Sequence, residues 1–422
     1  MAEESILTDD FLRELMNVGE VDILVGVRTY NDEKTIGQVV QALRSGLLQF
    51  FPRQRAVIIN ADGGSRDATQ DLVRAASISD LHHVANLQTL RTLHCISTQY
   101  PGGQASGNAF YSILAAADLL HPSMIAVISG HSTQIEPEWM ARLLQPICRD
   151  NFDLVSPVYR RHKFDGLLVR NLVYPMGHAL YSQFVKEPRP SEFALSGALA
   201  THFLGLDIWS QEAGRTGAGM LLPIAAITGG FKPAQIFLGS RERVQHSESG
   251  LVPAMRQTVG TLFWSMEKNF PVWSGAASLP PIPTIGGEPQ ITLEPLRINR
   301  KRLFEMFRTG VAELEPVLQS ILRPSTLSEL QRLAAIPEEQ FRFEDNLWAR
   351  AVYEFAVAYH KAVINRDHII QALAPLYRGK TFTFLIENRD SSAEKVESNV
   401  ERLCLTFERL KPYLLELWDG VK

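Results

Sequence analysis

The chain has 422 residues, more than one hydrophobic core usually spans, and its 45% hydrophobic and 21% charged content is that of an ordinary globular protein. A net charge of −4 excludes a global electrostatic footprint for nucleic acid. Three scattered cysteines, Cys95, Cys148 and Cys404, form no CxxC pair, which argues against a disulfide framework or zinc site and for reduced thiols.

In chain order, the acidic opening MAEESILTDD lacks the basic and apolar regions of a signal peptide. No apolar run nears the roughly 20 residues that a bilayer span requires. The expectation is a cytoplasmic protein without a membrane span. VDILVGVRTY reads as a strand ending in a polar turn. EKTIGQVVQALRSGL has helical periodicity, with Ile36, Val39, Val40 and Leu43 on one face. RAVIINADGG is a second buried strand running into a Gly-rich turn, and SRDATQDLVRAA a helix with Ser65 as N-cap and Asp67 in its first turn. RTLHCIST, SGNAFYSILAAADLL, MIAVIS and EPEWMARLLQPI continue as strand, helix, strand and helix, the last with Pro137 near its first turn.

This alternation implies a parallel sheet covered by helices on both faces, with ligands at the carboxyl ends of the strands. Those ends are TYNDE, NADGGSRD and SGHST. The uncharged run from Ala218 to Phe231, broken by Pro223 and Gly229–Gly230, reads as core helix or strand. SLPPIPTIGGEPQ, at 278–290, reads as a linker or surface arm. Beyond it the pattern is helical. Trp348, Tyr353, Phe355 and Tyr359 recur at helical spacing, as in a core or a subunit seam.

Several segments, taken in order, resemble the GT-A glycosyltransferases that include glucosyl- and mannosylglycerate synthases and glucosyl-phosphoglycerate synthases. They are GVRTYNDEKTIGQVV, INADGGSRDAT, GNAFYSILAAA, IEPEWMARLLQPI, SPVYRRHKFDG, LVYPMGHALYSQF, QIFLGSRER with TVGTLFWSMEKNFPVW, and LWARAVYEFAVAYH with LAPLYRGKTFTFL. The resemblance spans nearly the whole chain. It implies an α/β, GT-A-type mixed sheet with a helical C-terminal subdomain. Residues 1–290 would form the main domain, its nucleotide-binding half at about 20–150 and its acceptor half at about 151–280, and residues 291–422 the helical subdomain. It also implies a nucleotide-sugar donor, a small anionic acceptor such as glycerate, and a homodimer. GxGxxG is absent after the first strand and no GxxxxGK[ST] loop occurs, so a dinucleotide fold and a P-loop fall below this reading.

The residues themselves suggest the same site. Asp62 ends a buried strand, where its carboxylate would accept from the N3–H of a uracil. Gly63, Gly64 and Ser65 offer backbone N–H groups, a common anion site, although a plain turn and cap explain them equally well. Asn31 and Glu33 carry the same two readings. Thr29, Tyr30, Asn31, Glu33, Asp62 and Gly63 match the family's nucleoside pocket, and Tyr30 would stack on the base or join the core. Toward the diphosphate the pattern breaks. The family's DXD falls on Ser129–Gly130–His131, its GKGNA lysine on Ser106, and a ligand histidine on Arg243, with His246 three residues on.

A Mg²⁺ or Mn²⁺ site loses its two carboxylates, so a divalent metal is disfavoured and His131 is the one candidate ligand left there. Either Arg243 and His131 neutralise the diphosphate without metal, or the protein is a catalytically degenerate binding or scaffold relative. A nucleotidyltransferase would need the same missing carboxylates. On the acceptor side, Tyr159, Arg161 and Lys163 lie in a basic run that is either a solvated loop or a grip for glycerate. Ser196 and Gly197 stand where the family places its sugar loop. No catalytic base stands out, and Glu192 is the local carboxylate.

Overall fold

In this computed structural model, residues 7–75, 93–100, 106–240, 250–275, 279–288 and 298–419 are described. The chain divides into two compact units. The first comprises Met1–Arg160, Arg189–Arg243 and Ile282–Ile291; the second comprises Arg161–Pro188, Val244–Pro281 and Thr292–Lys422.

The first unit contains α1 (Asp9–Val18), β1 (Ile23–Thr29), α2 (Ile36–Phe50) and β2 (Ala56–Asp62). Next come α3, helical over described residues 69–75, and β3 (His94–Gln99), α4 (Ser106–Leu120), β4 (Met124–Ser129), α5 (Glu138–Asp150) and β5 (Leu154–Arg160). It resumes with β6 (Phe193–Ser196), α7 (Gly197–Leu204), α8 (Glu212–Thr228), β7 (Pro233–Ser240) and β8 (Thr284–Ile285). Labels run in chain order through both units, so the remaining helices belong to the second.

The strands form one sheet in the order β3-β2-β1-β4-β6-β5-β7-β8. All neighbours pair in parallel except β6, which runs against both β4 and β5. The fold is therefore α/β with a mixed sheet. β1 and β4 are near-continuous apolar runs, as strands buried on both faces require. The predicted stripe of α2 is buried along its length, and with Trp139, Met140, Leu143 and Leu144 of α5 it belongs to the core cluster of Val25, Val27, Ile58 and Ala126. The run from Ala218 lies in α8, whose interior accommodates Pro223. Part of the expected linker at 278–290 instead becomes strand: Thr284 and Ile285 pair with Gln235 and Ile236. Pro283 accepts the Gln235 N–H at 2.8 Å, an edge position proline tolerates because it needs no N–H there.

The second unit is helical. A π-helical turn, Val169–Val173, leads into α6 (Tyr174–Tyr181). α9 (Leu251–Met255), a second such turn (Arg256–Gly260), α10 (Thr261–Lys268) and α11 (Phe270–Ser274) follow. The C-terminal run is α12 (Arg300–Glu313), α13 (Glu315–Ile321), α14 (Pro324–Ala335), α15 (Asp345–Lys361), α16 (Arg366–Glu387), α17 (Ala393–Arg409) and α18 (Lys411–Asp419). The aromatic stripe of α15 is core: Trp348, Tyr353 and Phe355 have no exposed surface. Trp348 donates to the Asn171 carbonyl and Tyr353 to the Phe407 carbonyl, each at 2.7 Å, so both polar tips are satisfied inside the unit. The stripe is therefore spent within one chain and supplies no subunit seam. Among the described residues no helix is long and apolar enough to cross a membrane, and Cys148 and Cys404 carry free thiols.

α4 approaches α8 at Gly107, where an added Cβ would lie 2.2 Å from the Gly214 carbonyl oxygen and 2.6 Å from that of Arg215. Both obstacles are backbone, so no rotamer change relieves them. Gly107→Ala is expected to lower unfolding stability by about 1–3 kcal/mol. Urea denaturation would measure it, and an unchanged midpoint would mean that the two helices part freely.

Candidate functional site

Because β1, β2, β4, β5 and β7 run in parallel, Thr29, Asp62, Ser129, Arg160 and Ser240 end at one edge of the sheet. The reversed β6 begins there, so Glu192, just before Phe193, enters the same edge. In α/β sheets this carboxyl edge is where ligands bind.

Asp62 is the centre of the edge, with no exposed surface. Its Oδ1 accepts from the N–H groups of Gly64 (2.9 Å) and Ser65 (2.8 Å) and from Gln70 Nε2 (3.0 Å). Its Oδ2 accepts from Ser65 Oγ (2.7 Å) and Thr29 Oγ1 (2.8 Å). A carboxylate has about four lone-pair sites, and these donors occupy most of them. Asp62, expected to read a base, thus faces its own turn and the neighbouring strand with most of its acceptor positions. Thr29, also buried, is turned inward, its Oγ1 lying 2.9 Å from Asn60 Oδ1 as well. Gly63 donates its N–H to the Thr29 carbonyl at 2.9 Å.

Ser65 is not the N-cap expected of it. α3 opens four residues later, and Asp67 caps it, accepting from the Thr69 N–H at 3.1 Å. The Ser65 hydroxyl instead accepts the Asn31 N–H at 2.8 Å. Asn31 adopts the left-handed conformation (φ 56°) that asparagine tolerates, and its Oδ1 accepts the Arg66 N–H at 2.9 Å. The Glu33 N–H donates to Asp67 Oδ2, and Glu33 Oε2 accepts the Ala68 N–H. Asn31 and Glu33 thus tie the loop after β1 to the loop after β2. Tyr30 is left 36% exposed, with its ring free at the edge.

The loop after β4 joins them through Gly130. Its carbonyl accepts from Thr35 Oγ1 at 2.7 Å. A Cβ there would sit 2.6 Å from Thr29 Cγ2 and 3.0 Å from Asp32 Oδ2, so the close approach requires glycine. Ser129 Oγ accepts the His131 N–H at 3.3 Å, and His131 Nδ1 lies 3.2 Å from Asp32 Oδ1. The other oxygen of Asp32 accepts the Tyr30 N–H at 3.0 Å. One imidazole and one carboxylate oxygen do not make a hard-cation site. Among the described residues no three His, Cys, Asp or Glu side chains converge. The described residues do not fit Mg²⁺ or Mn²⁺.

Deeper in the edge lies a polar cluster that sequence reading largely missed. Glu192 is 5% exposed. It accepts from Ser132 Oγ at 2.5 Å and from the Tyr159 hydroxyl. Tyr159 is thereby committed to Glu192, not free for an acceptor. Arg28 of β1 donates to the Ser191 carbonyl at 2.7 Å and lies over the Phe110 ring, 4.7 Å from its centroid. Its signal was legible: a lone charge near the end of an otherwise apolar strand.

Other expected acceptor residues are elsewhere or engaged. Ser196 pairs with Met124, at the amino end of β4. It and Gly197 therefore lie at the opposite edge of the sheet, a correction forced by the reversal of β6. There Ser196 Oγ donates to Asp153 Oδ1 at 2.8 Å and caps α7. Arg161 and Lys163 belong to the second unit. Arg161 pairs with buried Glu187. Lys163 Nζ donates to the carbonyls of Asn388 (3.0 Å), Arg389 (2.7 Å) and Ser391 (2.8 Å), closing the C-terminus of α16. The grip expected of these two cations is thus used up inside the unit. Ser106 is the first residue of α4. Arg243 and His246 lie outside the described residues.

No family model matches the chain, and no curated protein matches it. Among solved structures it is similar to glucosyl-3-phosphoglycerate synthase from Mycobacterium tuberculosis in complex with uridine diphosphate. The identity there is 21% and the TM-score 0.44, over 61% of this chain and 83% of that one. A complex of that enzyme with Mn²⁺, uridine diphosphate and glucosyl-3-phosphoglycerate gives 22% and 0.43, over 61% and 83%. A structure described as a mycobacterial protein gives 20% and 0.41, over 59% and 76%.

Asp62→Ala removes the acceptor for several buried donors, each costing about 1–3 kcal/mol when unsatisfied. Unfolding stability is expected to fall by at least about 3 kcal/mol in chemical denaturation. A stable variant that had lost only nucleotide affinity would return the carboxylate to direct base contact.

Proposed function

We propose that the first unit holds a nucleotide-sugar at the carboxyl edge of its sheet and transfers the sugar to a small anionic acceptor such as glycerate. The observation that carries this is the hydrogen-bonded joining of the loops after β1, β2 and β4 around Asp62, with Tyr30 exposed beside them. A ligand meets there an aromatic ring for a base and a fixed carboxylate, Glu192, for the transferring end. The sequence resemblance to glycosylglycerate synthases supplies the substrate class. Within this proposal the donor region is residues 20–150, the reaction needs no divalent metal, and Ser129, His131 and Arg243 face the diphosphate. The protein is cytoplasmic. A homodimer rests on the resemblance alone and would need a face other than the α15 stripe; light scattering at micromolar concentration checks it.

A second reading is a catalytically degenerate relative that binds the donor without transfer. The engagement of Arg161 and Lys163 away from any acceptor favours it.

A thermal-shift panel of UDP-, GDP- and ADP-sugars, each with Mn²⁺ and with chelator, tests both. A true donor raises the melting temperature by mass action, and equally in the two conditions. No shift from any of them overturns the donor site, and a shift that needs Mn²⁺ overturns metal independence. Transfer to glycerate or phosphoglycerate then separates the readings. If the protein is an active transferase, Glu192→Gln is expected to slow turnover by about 100-fold or more with the donor shift retained. Donor binding with no turnover for any acceptor supports the degenerate reading.

A further inference from the structure

Arg28 is a charge placed inside a buried strand. It stands next to last in β1, in register with Ala61 of β2 and Ser129 of β4. Its carbonyl accepts the Gly130 N–H at 2.8 Å, so it is bonded directly to the loop that carries Ser129–Gly130–His131. Of its guanidinium N–H donors, one is satisfied, at the Ser191 carbonyl. Its Nε is buried and has no partner.

The anionic groups around it are otherwise engaged. Glu192 attracts Arg28 at a distance, but its carboxylate is held by Ser132 and Tyr159. Tyr100 is uncharged, its phenol pushed by burial up to about 12. Burial also lowers the Arg28 pKa, yet a guanidinium stays protonated in proteins. A partly buried cation with unused donors is costly unless an anion completes it.

The geometry points to Arg28 as the group that receives the diphosphate of a bound nucleotide, a guanidinium standing where the Ser129–Gly130–His131 loop is not equipped to hold a divalent cation. This rests on the donor-site reading above. Arginine suits the task, since its planar fork matches two phosphate oxygens and is weakly hydrated. The position also accounts for a charge among apolar neighbours: it lies across one strand boundary from the loop that must face the diphosphate.

The experiment is calorimetry in chelator with three probes: uridine, UDP and inorganic pyrophosphate. It compares the wild type with Arg28→Gln, and with Arg13→Gln, which removes the same charge from an exposed site on α1. Wild type and Arg13→Gln are expected to bind UDP and pyrophosphate alike. Arg28→Gln is expected to lose about 10- to 100-fold on both while uridine affinity holds. Unchanged UDP and pyrophosphate affinity in Arg28→Gln overturns the assignment. Pyrophosphate binding that depends on Arg28, without any nucleoside or nucleotide binding, keeps the anion site and sinks the nucleotide-sugar reading. A wild type that binds none of the three overturns both. Should Arg28→Gln fail to fold by circular dichroism, Arg28→Lys keeps the charge without the fork. An undiminished UDP affinity there overturns the assignment, and a loss of about 10-fold supports it.

Discussion

The arrangement of the candidate site depends on a single desolvated carboxylate. Removing Asp62 from water is costly, and the cost is offset because both its oxygens meet several donors. Those donors come from the strand beside it, from the turn that follows it and from the first turn of α3. The same Ser65 hydroxyl passes the constraint to Asn31, Asn31 returns it to Arg66, and Thr35 extends it to Gly130. Three loops that are distant in sequence are thereby fixed against one another without any ligand. Polar side chains that look like ligand contacts in the sequence are largely consumed in building the frame. What remains for a ligand is the Tyr30 ring and the polar groups near Arg28 and Glu192.

The reversed strand has a comparable effect on a smaller scale. Because β6 runs against its neighbours, it delivers its amino end, not its carboxyl end, to the edge where the parallel strands finish. A glutamate preceding a four-residue strand thus becomes the buried carboxylate of the site, and the Ser196–Gly197 pair after it is carried to the far edge.

Much of the fold was legible because local signals and global packing agree. The apolar runs of β1, β2 and β4, the stripe of α2 and the helix after SGNAFYS each follow from hydrophobic period and length. The site was legible only as a location. Strand-end residues could be placed at one edge, but whether a carboxylate there faces a ligand or its own turn depends on donors contributed by other loops. Ser65, expected as an N-cap, bonds Asn31 and Asp62 instead for that reason. Arg161 and Lys163 looked like a grip because their partners are not local: Lys163 meets carbonyls more than 220 residues further on. The direction of β6 is set by pairing between strands, which the short segment FALS does not encode. Arg28 was readable from the start, since a lone charge in an apolar strand needs a physical reason.

The second unit draws on widely separated stretches of chain, and this bears on how the protein is made. α6 hides Met176, Ala179 and Leu180 in a unit whose α17 supplies Val396, Val400, Leu403 and Phe407, and the two helices pack together. Roughly 210 residues separate the end of α6 from the start of α17. At ribosomal speeds of about 5–20 residues per second, α6 is synthesised roughly 10–40 s before its partner. For that interval the side of α6 that α17 will cover stays open in the nascent chain, apolar surface of the kind that favours aggregation until the last helices arrive.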